Sequence, residues 1–392
     1  MMEKAEAMTF ADDHPLIIER AAVHLYRMPP SVPWEDATHR VTAIEVIVLE
    51  LTVNDRPAYS FSYTVGVGGT AVRALLQDYC QSQLVGVDAR YVVGTWNSLY
   101  HHLHRIGMGA ITTLALAAID IALWEVRAQA SGRPLHLELG GGGCSVPAYT
   151  SGIDLHLTPD ELYALQQQKR AEGYEWFKIK VGLPRLADDV ARLAAAREAI
   201  GPDAHLLLDA NQGWDLGEAI RRCRAFEPFN VRWIEEPLVP EDINGHATLR
   251  GNTGIPVAVG ESLYTVQQVR DYLVADAVDI VQTDIARVGG LTPWMKIAHL
   301  AAAWNRPVAP HFLVELSVHA LCAVDNGLVL ENVRGGSLHD LGLARDQIRV
   351  EGAFALPSAS AGHGVQLALA ENAAHSVPAS GYVFDDIRSY KG

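Results

Sequence analysis

Three acidic residues recur along the chain at equal intervals of 26 residues: Asp209, Glu235 and Glu261. Each follows a short apolar run, in the segments AHLLLDAN, VRWIEEP and IPVAVGES. A strand with its following helix and loops takes about 25 residues, so this spacing predicts consecutive β/α units that each deliver one carboxylate from a strand end. Such ends meet at one mouth of a (β/α)₈ barrel, where three carboxylates suit one Mg²⁺ ion. We take Glu235 as the ligand, which leaves Glu236 facing outward or supporting it.

Two lysines precede the first of these acids in the segment FKIKVG. Because side chains alternate along a strand, Lys178 and Lys180 share one side, while Phe177, Ile179 and Val181 face the helices. We predict that the lysine side is the barrel mouth. Two neighbouring ammonium groups and desolvation both lower a lysine pKa, so for a lysine near a metal ion a pKa of about 7–8 and a role as base are expected. The alternative is a solvated pair on an edge strand.

Asp284 and His311 lie 27 residues apart, which is again one β/α unit. A carboxylate bonded to one imidazole nitrogen fixes the tautomer, so we predict that His311 is a second acid or base. Glu315, at the start of the next helix, either donates a hydrogen bond to an oxyanion or complements the helix dipole. Asn211 is either a ligand for a substrate oxygen or metal-bound water, or a turn residue.

The surrounding pattern predicts the elements that position these residues. Residues 15–65 carry β-branched and aromatic runs that predict strands, and residues 70–135 show apolar positions at helical spacing. The run GGGG at 140–143 is a breaker. After it, amphipathic helical stretches separate eight strand candidates, at 146–150, 176–182, 204–209, 231–236, 256–261, 278–284, 306–311 and 328–332.

This alternation predicts an α/β protein with a (β/α)₈-type barrel and an α+β capping domain formed by the N-terminal region and the C-terminal tail. The expected boundaries are 1–140 for the capping domain, 141–339 for the barrel and 340–392 for a segment that packs back on the capping domain. A doubly wound open sheet is the competing architecture, and the even acidic spacing favours a closed barrel.

Bulk composition excludes several classes of partner. The formal net charge is −15 and no basic run is present, which argues against nucleic acid. No apolar stretch reaches the roughly 18 residues of a membrane span, and the N-terminus lacks a signal-peptide core. Four cysteines without CxxC spacing predict neither disulfides nor a zinc site, so we expect a cytoplasmic protein. We also expect a homo-oligomer.

Several short motifs occur in a fixed order along the chain. They are Lys178-Ile179-Lys180, Asp209-Ala210-Asn211, Glu235-Glu236-Pro237, Gly260-Glu261, Asp284 followed by Arg287-Val288-Gly289-Gly290, and Pro310-His311-Phe312 with Glu315. As an ordered set they resemble the mandelate racemase branch of the enolase superfamily over nearly the whole chain. The resemblance implies Mg²⁺ on the acidic trio, a base at Lys180 and an Asp284–His311 dyad. A Lys or His base beside Mg²⁺ is that superfamily's known pattern.

The expected reaction is removal of the α-proton from a hydroxy acid through an enediolate, most simply dehydration of an acid sugar to a 2-keto-3-deoxy acid. Racemisation or epimerisation is the alternative. Cycloisomerisation is less favoured, because it is typical of relatives with a lysine on each face. A non-catalytic metal-binding barrel has no need for two opposed bases.

In the family that the chain resembles, loops of the capping domain determine which substrate binds. The corresponding loops of this chain are expected at about 27–40 and 62–71. The second loop is similar to the SY…GG loop of family members that dehydrate sugar diacids. It differs at Thr64-Val65-Gly66, where basic residues that hold a distal carboxylate are expected. We therefore expect Trp34 and Tyr63 to cover a monoacid sugar or an aromatic hydroxy acid.

Overall fold

The structure, a computed structural model, describes residues 14–143 and 145–378. Its N-terminal part holds a three-stranded antiparallel sheet in the order β1-β4-β5 and a short β2–β3 ladder. The strands are β1 (Ile18–Met28), β2 (Trp34–Glu35), β3 (Arg40–Val41), β4 (Ile44–Val53) and β5 (Arg56–Val65). The long strands are rich in β-branched and aromatic residues, as the sequence pattern predicts.

Helices cover this sheet. They are α1 (Gly69–Leu75), α2 (Gln81–Leu84), α3 (Val92–Leu103), α4 (Ala110–Ser131) and α5 (Leu135–Glu138), with a π-helical turn at Leu76–Cys80. The apolar helix α4 is buried along most of its length and carries two buried acids. Asp120 accepts a bond of 2.8 Å from the Thr292 backbone N–H, and Glu125 accepts one of 2.7 Å from that of His363. Helix α4 is thereby fixed to the barrel and to the C-terminal segment.

The part of the chain from β6 to β12 forms a closed parallel barrel. Its strands are β6 (Val146–Ser151), β7 (Trp176–Lys180), β8 (His205–Asp209), β9 (Val231–Glu235), β10 (Val257–Val259), β11 (Ile280–Val281) and β12 (Leu330–Val333). The intervening helices are α6 (Pro159–Ala171), α7 (Leu186–Ile200), α8 (Leu216–Phe226), α9 (Ile243–Arg250), α10 (Val266–Val274), α11 (Leu291–Ala303) and α12 (Val314–Leu321). Strand β12 pairs in parallel with β6 and closes the ring, which confirms the predicted barrel over the open sheet.

The strand predicted at 306–311 is not a regular ladder. Val308 bridges to Val281 on one side and to Gly327 on the other, and His311 bridges to Asp284. Pro307 and Pro310 lack a backbone N–H, so only Val308 and Ala309 between them donate, to Asn326 and Val281 on opposite sides. The bridges nevertheless continue the barrel wall. Alternate inward positions fill its centre, with a buried cluster of Tyr149, Leu207, Trp233, Ala258, Ile280, Ala309 and Val329.

The C-terminal segment contacts both parts. Its strands β13 (Arg349–Glu351) and β14 (Phe354–Leu356) form a hairpin whose second strand pairs with β6. Further on, the Val377 backbone N–H donates to the Leu25 carbonyl at 2.8 Å, and Ser376 bridges to Tyr26. None of the helices in the described part of the chain has the length and apolar content needed to cross a bilayer.

The prediction that no disulfide forms is wrong at Cys322, which is disulfide-bonded. Sequence spacing does not report which cysteines meet after folding, because the bond depends only on the positions of the two Cβ atoms in space. Cys223 is a buried free thiol, and Cys144 lies outside the described residues. Cysteine spacing therefore no longer supports a reducing compartment.

Candidate active site

The acidic trio converges at the C-terminal ends of three neighbouring strands. Asp209 ends β8, Glu235 ends β9, and Glu261 lies two residues after β10. Their carboxylate oxygens lie within 4.8 Å of one another, and all three residues are buried. Gly260 permits this approach, because a Cβ atom there would lie 2.5 Å from the backbone of Gln282 and from that of Thr283. The trio is the arrangement that the 26-residue spacing predicts.

Both lysines of β7 point into this acidic cluster. The Lys180 Nζ lies 2.5 Å from Asp209 Oδ2, and the Lys178 Nζ lies 2.7 Å from Glu235 Oε1. Burial by itself lowers a lysine pKa, but Asp209, Glu235 and Glu261 together outweigh it and raise the pKa of Lys180 above its ordinary value. Without a cation the carboxylates dominate over the neighbouring ammonium, and the lowered pKa expected of a lysine near a metal stays a prediction.

Asp284 and His311 form the predicted dyad, with His311 Nδ1 at 2.9 Å from Asp284 Oδ2. The other oxygen of Asp284 accepts from the backbone N–H groups of Ala286 and Arg287 at 2.7 and 2.9 Å. His311 Nε2 lies 3.2 Å from Glu261 Oε2. Burial opposes protonation, but Glu261 and the Asp284 hydrogen bond raise the pKa of His311 to about 9. The histidine therefore holds a proton at neutral pH when only the protein surrounds it.

Glu315 lies elsewhere. It is in the first turn of α12, is buried, and accepts a bond of 2.6 Å from the Leu338 backbone N–H. Burial raises the pKa of Glu315 to about 7. It lines a different cavity with His319 and His363, so this placement favours a structural acid at a helix start over an oxyanion donor.

Glu331 occupies the site instead. Its Oε1 lies 2.6 Å from Lys178 Nζ, and its Oε2 accepts a bond of 2.9 Å from the Phe312 backbone N–H. Burial raises the pKa of Glu331, but Lys178, His311 and the Phe312 backbone N–H together outweigh it and lower that pKa far below its usual value. The sequence signal was present in LVLEN, an apolar run that ends in an acid. It was overlooked because the interval from His311 is 20 residues rather than about 26.

The lysines, His311 and Glu331 line a single cavity. It is lined by Lys178, Lys180, Glu261, Arg287, His311 and Glu331, and also by the predicted substrate residues Trp34, Tyr63 and Asn211. Trp34 donates from Nε1 to the Arg334 carbonyl at 3.1 Å. The Tyr63 hydroxyl, which was expected to cover the substrate, donates to Asp284 Oδ2 at 2.7 Å.

Sequence reasoning named Asn211 and Glu236 but missed Ser151, Gln212 and Gln282. The Asn211 Oδ1 and Ser151 Oγ atoms are buried without a hydrogen-bond partner in the described structure, and both residues line the cavity. Gln282 donates to Glu235 Oε2 at 2.9 Å, and Gln212 donates to Glu236 Oε2 at 3.0 Å. Glu236 is thus bonded to Gln212, and its outward or supporting role beside Glu235 stays a prediction.

Comparison with known proteins agrees with this geometry. Residues 20–140 match the mandelate racemase / muconate lactonizing enzyme N-terminal domain, and residues 161–371 match the enolase C-terminal domain-like family. The chain belongs to the mandelate racemase branch of the enolase superfamily. It is therefore an enzyme, and its relatives include acid-sugar dehydratases and cycloisomerases.

Two curated members of this branch are similar over most of their length. The 3,6-anhydro-α-L-galactonate cycloisomerase of Streptomyces coelicolor is 35% identical over 353 residues, which cover 90% of this chain and 97% of that protein. The L-talarate/galactarate dehydratase of Salmonella typhimurium is 37% identical over 314 residues, which cover 78% and 79%.

Solved structures from the branch superpose on the whole fold. The Salmonella typhimurium dehydratase with Mg and L-lyxarohydroxamate has a TM-score of 0.87 at 32% identity, covering 95% of this chain and 97% of that chain. A racemase from Streptomyces coelicolor with bound magnesium has a TM-score of 0.88 at 33% identity, covering 92% and 100%.

Proposed function

We propose that this enzyme removes the α-proton of a sugar acid with the help of Mg²⁺ and then expels the β-oxygen, so that an acid sugar is dehydrated to a 2-keto-3-deoxy acid. One observation carries the proposal. Lys180 and His311, which lie on the second and seventh segments of the barrel wall, line one cavity with a cluster of three carboxylates. This combination places two proton-transfer groups beside a cation site.

The residues fit a divalent cation. Asp209, Glu235 and Glu261 would hold it through carboxylate oxygens, which are the ligands that Mg²⁺ prefers. Burial and, after it, the neighbouring Asp209 raise the pKa of Glu235 to about 8, so a cation held there would favour the ionised carboxylate. When bound, Mg²⁺ supplies positive charge that stabilises the two oxygens of an ionised carboxylic substrate.

The chain's own residues then divide the proton transfers. With a cation held by Asp209, the attraction between that carboxylate and the Lys180 ammonium would weaken, so Lys180 would release its proton to solvent and, as a neutral amine, take the α-proton of the substrate. The β-carbon–oxygen bond breaks with its electron pair on oxygen, and protonated His311 gives its proton to the departing hydroxide as water. The resulting enol gains a proton at the β-carbon and becomes the 2-keto-3-deoxy acid.

Asn211 and Ser151 suit the substrate hydroxyls. Their unpartnered buried oxygens face the cavity, and a buried polar atom without a partner costs about 1–3 kcal/mol. A hydroxyl bound there would recover that cost. Arg287 donates to the Glu261 side chain at 3.3 Å and keeps a cation at the same end of the cavity.

Cycloisomerisation is a second candidate, and one observation favours it. The match to a protein named as a 3,6-anhydro-α-L-galactonate cycloisomerase covers 97% of that protein. The same two proton transfers would serve, because a β-oxygen that belongs to a ring stays attached when its bond breaks and the product is an isomer. His311 by itself makes cycloisomerisation less favoured than dehydration. The match to a cycloisomerase over nearly its whole length makes cycloisomerisation the second candidate.

The experiment is a screen of aldonates, aldarates and their anhydro or lactone forms with the Mg²⁺-loaded enzyme in D₂O. We expect a 2-keto product with deuterium at the former β-carbon, and mass change separates loss of water from isomerisation. Deuterium at the α-carbon of recovered substrate without a keto product would instead indicate a racemase or epimerase. Lys180→Ala should lose at least about 1,000-fold in kcat, whereas Lys169→Ala on the surface of α6 should not. Full activity in Lys180→Ala would refute the base assignment.

A further inference from the structure

The cavity has two chemically different ends. At the reacting end it is lined by the cationic groups Lys178, Lys180, Arg287 and His311. We call six other lining residues, all of them apolar, the distal wall: Trp34, Val41, Ile44, Val65, Ile153 and Val333. Among the described lining residues, no lysine or arginine belongs to the distal wall.

Backbone pairing holds this wall in place. Trp34 is the cross-strand partner of Val41 in the β2–β3 ladder, and Ile44 is the partner of Val65 in the β4–β5 ladder. The Glu35 backbone N–H donates to the Ile153 carbonyl at 3.0 Å, which ties the short ladder to the barrel. The apolar surface is therefore built on paired strands and is not a loose loop tip.

The one acidic lining residue beside this wall is Asp36. Its Oδ1 accepts three bonds, from the Thr38 backbone N–H at 2.8 Å, the Thr38 hydroxyl at 3.0 Å and the His39 backbone N–H at 2.7 Å. These bonds fix the carboxylate in a tight turn. A substrate group that reaches this end of the cavity therefore meets hydrocarbon and a negative charge.

We propose that the site selects sugar acids with a single carboxylate and an uncharged distal end, and that it rejects the corresponding diacids. A second carboxylate would lose water against the distal wall without gaining a cation, and it would be repelled by Asp36. A hydroxymethyl, deoxy or ring-closed end carries no such cost. This inference rests on the proposed function, because it assumes that the first carboxylate binds at the cationic end.

The test compares aldonate and aldarate pairs that share every stereocentre and differ only in a terminal CH₂OH or COO⁻ group. We expect the wild-type enzyme to favour the aldonate of each reactive pair at least tenfold in kcat/KM, because unpaired like charges cost several kcal/mol. Val65→Arg should then raise kcat/KM for the aldarate at least tenfold. Val65 is 39% exposed, so an arginine can be accommodated there.

Val67→Arg is the matched control. Val67 is 79% exposed, lies two residues further along and does not line the cavity, so the same charge added there should leave the preference unchanged. Asp36→Asn is an independent variant that keeps an oxygen for the three turn bonds and removes the charge. It should also improve the aldarate relative to the aldonate.

A wild-type preference for aldarates, or equal effects of Val65→Arg and Val67→Arg in folded protein, would overturn the inference. If Val65→Arg does not fold, Asp36→Asn decides in its place, and an unchanged preference there counts against the inference. If neither member of any pair reacts, the proposed function fails, while calorimetric titration of the same pairs into Mg²⁺-loaded enzyme still ranks their binding. Tighter binding of the aldarate would then refute the selectivity.

Discussion

The Tyr63 hydroxyl donates a hydrogen bond of 2.7 Å to Asp284 Oδ2, the same oxygen that His311 Nδ1 contacts at 2.9 Å. Tyr63 belongs to the capping domain, whereas Asp284 and His311 belong to the barrel wall. Burial raises the pKa of Tyr63 well above its ordinary value, so the hydroxyl remains a donor throughout the working range of pH. The capping domain thus helps to position the dyad as well as to cover the cavity.

Tyr63→Phe should slow proton transfer through His311 without unfolding the enzyme. A hydrogen bond to a charged group contributes about 1.5–3 kcal/mol, so we expect a fall of about 10- to 100-fold in kcat with little change in KM. Tyr59→Phe removes a hydroxyl from the same strand and should leave kcat unchanged. If kcat falls equally for both variants, Tyr63 has no special role in the dyad.

A second pair of variants distinguishes the role of Glu331 from that of Glu315. Glu331→Gln removes the charge that contacts Lys178 in the reacting cavity, and we expect kcat/KM to fall at least 100-fold, since breaking one partner of a buried ion pair costs about 3–5 kcal/mol. Glu315→Gln changes the same group in a different cavity and should stay within about threefold of wild type. Steady-state kinetics with thermal denaturation of each variant checks both outcomes, and the reverse ranking would restore Glu315 as the acid.

Glu315 should instead appear in the dependence of stability on pH. Burial raises its pKa to about 7 in the folded protein, above the ordinary value of 4.5, so the folded state retains a proton that the unfolded chain has lost. Its contribution to the free energy of unfolding is therefore greatest below pH 4.5 and declines as the pH rises through about 7. Glu315→Gln should abolish this part of the decline, and urea unfolding at pH 5 and pH 8 measures the difference. Equal pH slopes in both proteins would contradict the raised pKa.

Much of the site is predictable because strand ends in a parallel barrel meet at one mouth. Asp209, Glu235 and Glu261 needed only a constant interval, and Asp284 and His311 followed from the same rule. Glu331 escaped the rule because α12 begins only three residues after His311, whereas α9 begins eight residues after Glu235, so the last unit is shorter. An interval test therefore succeeds only while helices and loops keep a constant length.

Contacts between distant segments escaped sequence reasoning for a different reason. Tyr63 and Asp284 lie 221 residues apart, and nothing in either local pattern indicates that a hydroxyl on β5 meets a carboxylate after β11. The raised pKa of Lys180 in the protein without a cation also escaped sequence reasoning, because it depends on how close Asp209 and its neighbouring carboxylates lie. The prolines around Val308 break a ladder that hydropathy alone extends through 306–311.

Binding of Mg²⁺ should release protons and should strengthen as the pH rises. Burial and Asp209 raise the pKa of Glu235 to about 8, so at pH 7 this ligand is mostly protonated and must lose its proton before it can bind the cation. We expect the affinity to increase between pH 6 and about 8, and calorimetry at pH 7 in buffers of different ionisation enthalpy should report net proton release. Glu235→Gln should bind Mg²⁺ at least tenfold more weakly and lose most of this pH dependence, whereas Glu175→Gln, which changes an acid outside the cavity, should match wild type. Affinity that is independent of pH, or unchanged in Glu235→Gln, would show that this carboxylate is not a ligand.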